Sequence, residues 1–199
     1  LDEVLVEGYP VEKIAYTGGE PFMNKDLPAM IDESLTRGFR VLVLTNAMRP
    51  LHRRYEDLLA IRECHGDALE VRVSIDHFTR EKHENIRGTC TWEPMIEGLR
   101  WLAANNFNLY VAGRTCWDET DSEARAGYRA FFQSEDISID VDDPARLVLF
   151  PEMDMSVDVP EITVHCWDIL GVEPETIMCA TSRMIVQKKG AEGPVVVPC

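Results

Sequence analysis

The strongest constraint on the fold is an alternation. Short apolar runs that read as strands recur through the first three quarters of the chain, and each pair is separated by a stretch with helical periodicity. The strand candidates are Ile14–Thr17, Val41–Leu44, Leu69–Asp76, Leu109–Arg114 and Leu147–Phe150. Their ends fall near Thr17, Leu44, Ile75, Gly113 and Phe150, so successive ends lie 27, 31, 38 and 37 residues apart. Each gap accommodates one helix and its loops. Strands connected through helices run parallel, so the pattern predicts a single parallel sheet, open or curled into part of a barrel.

The helical stretches have their own signals. Leu27, Met30, Ile31 and Leu35 recur on one helix face, with Asp26 as N-cap and Gly38 as terminator. A second helix is predicted over Tyr55–Arg62, and a third from Trp92, Met95, Ile96, Leu99 and Ala103. Thr120 and Glu123 form a capping box ahead of Ala124, Tyr128 and Phe131. Val41–Leu44 is apolar throughout, as in a strand covered on both faces. Leu69–Asp76 alternates instead. Leu69, Val71, Val73 and Ile75 share one face, and Glu70, Arg72, Ser74 and Asp76 share the other, where a polar interior or a structural ion pair is expected. Beyond Phe150 the texture changes to a loop over Pro151–Val164, a short helix at Cys166–Leu170 and a hairpin of Arg183–Gln187 with Pro194–Val197. Two domains are expected, residues 1–152 and a small α+β module over 153–199.

Charge and composition narrow the function classes. The formal net charge of −15 disfavours a nucleic-acid partner, which calls for a basic face. No run of about 18 apolar residues is present to span a membrane. Six cysteines are widely spaced, and no basic leader precedes them. They read as reduced thiols or metal ligands of a cytoplasmic protein rather than as a disulfide framework.

In parallel α/β folds ligands bind at the carboxyl ends of the strands. Here every strand end turns polar: Gly18-Gly19-Glu20, Thr45-Asn46, Ser74-Ile75-Asp76-His77, Gly113-Arg114-Thr115-Cys116 and Phe150-Pro151-Glu152. The two glycines allow a sharp turn and a close backbone approach to a ligand. The acids suit an amine, Arg114 suits a carboxylate, and Asn46 or Ser74 suits hydroxyls. The inventory fits an amino-acid-like ligand carrying a sugar.

Gly18-Gly19-Glu20-Pro21, at the end of a strand in a βα repeat, resembles the GGEP motif of the radical SAM superfamily. Tyr16-Thr17, Thr45-Asn46 and Ser74-Ile75-Asp76 fit the same pattern, over most of residues 1–150. The resemblance implies a partial (βα)6-type TIM-like barrel lacking its first βα unit. It also implies that Gly18, Gly19, Glu20 and Pro21 hold the amino group of S-adenosylmethionine, while Asn46, Ser74, Asp76 and Arg114 reach its ribose or carboxylate. The family's CxxxCxxC signature, which binds a 4Fe–4S cluster, precedes GGEP. No such triplet occurs in this chain, so the cluster loop is expected upstream of Leu1 and the chain reads as N-terminally truncated. The implied activity is reductive cleavage of S-adenosylmethionine to a 5′-deoxyadenosyl radical that abstracts hydrogen from a small-molecule or peptide substrate. The implied electron donor is a flavodoxin or ferredoxin. The residues alone leave two alternatives open. One is a non-catalytic α/β ligand-binding domain. The other is a TIM-like acid–base enzyme using Glu20, Asp76 and Glu152.

The tail is similar to the opening of SPASM or twitch modules, in which a Cys, a hairpin, a Gly and a second Cys begin an auxiliary iron–sulfur site. Cys179, Met184-Ile185-Val186, Gly190 or Gly193, and Cys199 supply those parts with an imperfect spacing. Cys179 and Cys199 are the implied ligands, with Cys166 as a further donor. Elsewhere, Cys116 is a candidate substrate-facing thiol, and Cys64 and Cys90 read as packing or surface thiols.

Overall fold

A computed structural model describes residues 1–115, 118–151, 156, 158, 163–187 and 190–198. Contacts divide the chain into two units, residues 1–153 and 154–199.

The first unit begins with a short helix, α1 (Asp2–Val6), and continues through β1 (Lys13–Tyr16), α2 (Leu27–Thr36), β2 (Arg40–Thr45), α3 (Arg49–His52) and α4 (Tyr55–His65). It then runs through β3 (Leu69–Ser74), α5 (Arg80–Arg87), α6 (Trp92–Ala104), β4 (Asn108–Thr115), α7 (Asp121–Ser134) and β5 (Leu147–Pro151). The five strands pair in sequence order, all parallel, as a curled half-barrel. The expected partial TIM-like barrel is what forms, and every predicted strand has its counterpart.

Register explains where the core sits. Val41 and Val43 of β2 pair with Leu69 and Val71 of β3, Val71 pairs with Leu109, and Val111 pairs with Leu147 of β5. This row is buried against the helices. Leu27, Ile31 and Leu35 come from α2, Leu58 and Ile61 from α4, Met95, Ile96, Leu99 and Leu102 from α6, and Tyr128, Phe131 and Phe132 from α7. Each set recurs at three- or four-residue intervals, so one stripe of each helix meets the sheet. Burial of these side chains supplies the main stabilisation, about 1.5–3 kcal/mol for each large one.

The alternate residues line the other, concave face. Lys13 pairs with Arg40, Leu42 with Glu70, Leu44 with Arg72, Arg72 with Tyr110, and Ser74 with Ala112. The polar face read from Leu69–Asp76 is therefore the inner face of the half-barrel. Its ion pairs differ from the expected one. Glu70 is 1% exposed and bonds Lys13 Nζ at 2.7 Å and Arg40 Nη2 at 2.5 Å, so the partners come from β1 and β2 rather than from Arg72. Burial pushes the Glu70 carboxyl up, but the two cations outweigh it and hold it below the ordinary carboxylate range.

The second unit contains α8 (Cys166–Leu170), α9 (Met178–Thr181) and an antiparallel hairpin of β6 (Arg183–Val186) with β7 (Val195–Pro198). The short helix and the hairpin lie where the sequence places them. Among the described residues no helix is long and apolar enough to cross a membrane.

Candidate functional site

The carboxyl ends of β1, β2 and β3 meet around a pocket of about 160 Å³ lined by Thr17, Gly18, Gly19, Leu44, Thr45, Asn46, Ser74 and Arg87. The turn after β1 depends on glycine. Gly18 has φ of +141°, a backbone state that L side chains rarely adopt. No atom lies within 4 Å of where a Cβ would stand on Gly18 or Gly19, so both peptide faces are open to a ligand.

Glu20 fixes that turn to β2. Its Oε2 accepts the Asn46 N–H at 2.8 Å, and its Oε1 accepts the Thr45 hydroxyl at 2.8 Å and the Phe22 N–H at 3.2 Å. The last bond caps a one-turn 3-10 helix, Pro21–Met23, which Pro21 enters without an N–H to spare. Three of the carboxylate's roughly four acceptor positions are thus filled by the protein. Parallel pairing of β1 with β2 makes this possible, because it brings residues 25 and 26 apart in sequence to one edge. Glu20 is first a clamp between strand ends, with one acceptor site left for an amine.

The turn after β2 is tightly held. Ala47 N donates to Thr45 Oγ1 at 3.0 Å, and Met48 N donates to Asn46 Oδ1 at 2.9 Å. With its carbonyl engaged, Asn46 keeps the Nδ2 amide as its available donor. Ala47 sits at φ of +54° and is fully buried. His52 Nε2 stands 3.0 Å from both Ala47 O and Pro94 O, so its proton serves two carbonyls.

At the ends of β3 and β4 the structure brings Asp76 and Arg114 together. Asp76, 5% exposed at its side chain, receives Arg114 Nε at 3.0 Å and also bonds Arg87 Nε. Arg114 N further donates to Asp76 O at 3.1 Å. One carboxylate between two guanidiniums leaves a positive charge over, beside a pocket that Arg87 and Ser74 line. Such a rim has the charge to suit a carboxylate, and the acceptor position left on Glu20 has the chemistry to suit an amine. Arg87 escaped the sequence reading. It ends α5, a helix with no apolar stripe, and the only signal was Gly88 directly after it. Below this edge Tyr128 crosses from α7 to donate to Ile75 O at 2.6 Å. Only the missing side chain of Gly113 allows it, since a Cβ there would lie 2.3 Å from the phenol oxygen.

Beside Asp76, His77 Nδ1 accepts the Thr79 N–H at 2.9 Å, which places the ring proton on Nε2, 3.1 Å from Glu119. Lys82 shares that carboxylate. Burial lowers the His77 pKa, and Glu119 opposes the shift. His83 is fully buried edge-on against the Trp92 ring, neither ring nitrogen has a hydrogen-bond partner among the described residues, and burial pushes its pKa down to about 4. Among the described residues no three His, Cys, Asp or Glu side chains are grouped to hold a metal ion.

Two of the three acids of the acid–base alternative have protein partners. Glu20 accepts three protein donors, Asp76 is paired twice, and Glu152 lies outside the described residues. Cys116 and Cys199 also lie outside them. Cys64, Cys90 and Cys179 are exposed free thiols, and Cys166 is half-buried with Thr163 N 3.4 Å from its Sγ. A larger cavity, about 530 Å³, lies at the opposite, amino end of the strands against Asn108 and Arg146, away from the glycine turn.

A family model described as "Radical SAM superfamily" matches residues 1–126. The chain is 27% identical over 143 residues to a protein of Metallosphaera sedula described as a probable GTP 3′,8-cyclase, covering 70% of this chain and 41% of that one. It is 30% identical over 90 residues to the mycofactocin maturase MftC of Mycobacterium tuberculosis, covering 45% of this chain and 22% of that one. The chain therefore spans less than half the length of these curated relatives. A solved structure of TYW1 with a lysine-pyruvate adduct bound superposes with a TM-score of 0.50 at 15% identity, over 88% of this chain and 53% of that one, which is a likeness of fold.

Proposed function

The chain belongs to the radical SAM superfamily, and on that premise we propose that its strand-end pocket holds the amino-acid end of S-adenosylmethionine in an enzyme that cleaves this cofactor reductively and abstracts hydrogen from a substrate. The observation that carries the reading is the split polarity of the pocket. One wall offers the open peptides of Gly18 and Gly19, with the remaining acceptor of Glu20 directly after them in the chain, and the other offers Arg87, which shares the single carboxylate of Asp76 with Arg114. An α-amino acid carries those two charges in reverse. A volume of about 160 Å³ takes that end of the ligand, whereas whole drug-sized ligands fill about 300–1,000 Å³.

In this reading Gly18, Gly19 and Glu20 hold the amine, and Pro21 stiffens the exit of the turn. Arg114 takes the carboxylate while Asp76 orients it. Ser74 and the Asn46 amide reach the ribose hydroxyls. When bound to a reduced 4Fe–4S cluster, S-adenosylmethionine supplies the radical chemistry. The described residues do not form that cluster's ligand set, so its electron transfer is assigned to no residue here. A small-molecule or peptide substrate and a one-electron donor of the flavodoxin or ferredoxin kind complete the proposal. Cys179 and Cys199 remain the proposed ligands of an auxiliary iron–sulfur site.

The test is binding, measured by chemical-shift changes on titrating the chain with S-adenosylmethionine. Signals of Gly18, Gly19, Asn46 and Ser74 should move together and saturate. Glu20→Gln should weaken the affinity about tenfold or more, because an amide cannot accept both the Asn46 N–H and the Thr45 hydroxyl. Saturable binding elsewhere, or equal affinity in the variant, would sink the assignment.

A further inference from the structure

The concave face carries a cation that no carboxylate among the described residues pairs. Arg72 lies on the inner row of β3 between Glu70 and Ser74, level with Leu44 of β2 and Tyr110 of β4. Ser74 lines the strand-end pocket. Arg72 is therefore one inner-face step below it, about 7 Å along the strand. Its Nε is sealed from water and has no hydrogen-bond partner, and Arg72 forms no ion pair among the described residues. The nearby carboxylate, Glu70, is already taken by Lys13 and Arg40. Burial lowers the Arg72 pKa, and the charge of Glu70, already shared with Lys13 and Arg40, only partly opposes the shift.

The guanidinium is held in place nonetheless. Its central carbon stands 5.7 Å from the centre of the Tyr110 ring, and Arg146 packs on the same ring at 4.4 Å. An aromatic face attracts a cation but leaves the in-plane N–H groups free. Leu42, Leu44 and Ala112 make the neighbouring inner surface apolar. A preorganised fork of donors on an apolar floor, short of one negative charge, suits a planar or tetrahedral oxyanion.

We propose that Arg72 is the recognition residue for an anionic group of the substrate, a carboxylate or a phosphoryl group, on the concave face beneath the strand-end pocket. That the anion belongs to a substrate rests on the proposed function, whereas the anion site itself does not. Substrates lacking the anion would then be held less firmly.

The sealed Nε–H gives a direct readout, because its proton exchanges slowly enough for a ¹H–¹⁵N signal. The signal is assigned by its loss in Arg72→Lys and, independently, in Arg72→Gln. The chain is titrated with inorganic phosphate and, separately, with acetate, at constant ionic strength. We expect a saturable shift in the millimolar range. The signal of Arg62, whose Nε is already bonded to Asn106 O at 2.9 Å, should stay still. A response to phosphate alone identifies a phosphoryl group, to acetate alone a carboxylate, and to both a general anion site. No shift with either, or a shift shared equally by Arg62, overturns the proposal. A parallel titration with S-adenosylmethionine separates the two readings, since its failure with the Arg72 signal still responsive would remove the proposed cofactor and leave the anion site.

Discussion

In residues 1–153 the sheet buries a continuous row of valines, leucines and isoleucines, while in residues 154–199 not one described residue is buried. Both units have helices and paired strands. They differ in what holds them. The first has parallel strands that only helices can connect, so the central strands β2, β3 and β4 are covered and the alternation of the sequence becomes burial there. Among its described residues the second has a hairpin and short helices of one turn or little more, and Val164, Ile169, Leu170, Met178, Ile185 and Val196 are all exposed. An isolated two-stranded hairpin is marginal in water, and units this small usually depend on a metal, a disulfide or a partner surface. The lesson is that secondary structure in the tail is not evidence of independent stability, whereas in the half-barrel it is.

Hydrogen exchange gives the widest separation. Amides of Val43, Val71 and Val111 open only with global unfolding, and those of β6 and β7 in the metal-free chain open locally. With ordinary domain stability the protection factors should differ by more than about a thousandfold. Comparable protection in both units would break the comparison and show that the tail is stabilised by something outside its own packing.

The next effect tests the core through acid. His83 is neutral in the folded unit, with a pKa of about 4, and returns to about 6.5 when unfolded. The unfolded chain therefore binds more protons between those values. The contribution is present above pH 6.5 and is lost as pH falls towards 4, amounting to about 2–4 kcal/mol across the window. Asp76, Arg87, Glu84 and His77 are the charged or titratable groups that act on the ring. In His83→Phe, urea midpoints should vary much less between pH 6.5 and 4. An unchanged pH profile would mean that the buried ring is not the titrating group. Below that window Glu70 takes over, since its depressed pKa makes it destabilising only as pH falls under the ordinary carboxylate value.

These two sites also show how far the sequence could be read. The strands and most helices were legible because burial writes itself as period 2 and period 3.6, as in Leu69–Asp76 and in Leu27, Ile31 and Leu35. Helix α5 was not, because Arg80-Glu81-Lys82-His83-Glu84-Asn85-Ile86-Arg87 has a single apolar side chain and its buried residue is a histidine. Without α5 the pattern gives no sign of Arg87, nor of its pairing with Asp76. Likewise, Glu20 could be read as a ligand group from its glycines, but its bonds to Thr45 and Asn46 depend on strand register, which local pattern does not specify. Glu70 shows the same limit, since its partners sit on neighbouring strands.

A smaller effect probes how closely α6 supports the site. A Cβ on Gly98 would stand 1.9 Å from Ala47 O, and Ala47 follows Asn46 in a turn with positive φ. Gly98→Ala must push backbone against backbone, so it should cost about 1–3 kcal/mol despite the better helix propensity of alanine. The Asn46 and Met48 amide signals should shift with it. Full stability and unmoved signals would mean that the turn has slack.

The smallest expected effect lies in the tail. Ile185 is 63% exposed and Val196, its partner across the hairpin, is 67% exposed. Ile185→Thr removes apolar surface that is mostly in water already while keeping β-propensity. The unfolding midpoint of the half-barrel should stay within about 0.5 kcal/mol of the parent. A larger loss would show that this strand face is covered in the folded protein, and so that the tail's exposed side chains are an interface rather than a consequence of small size.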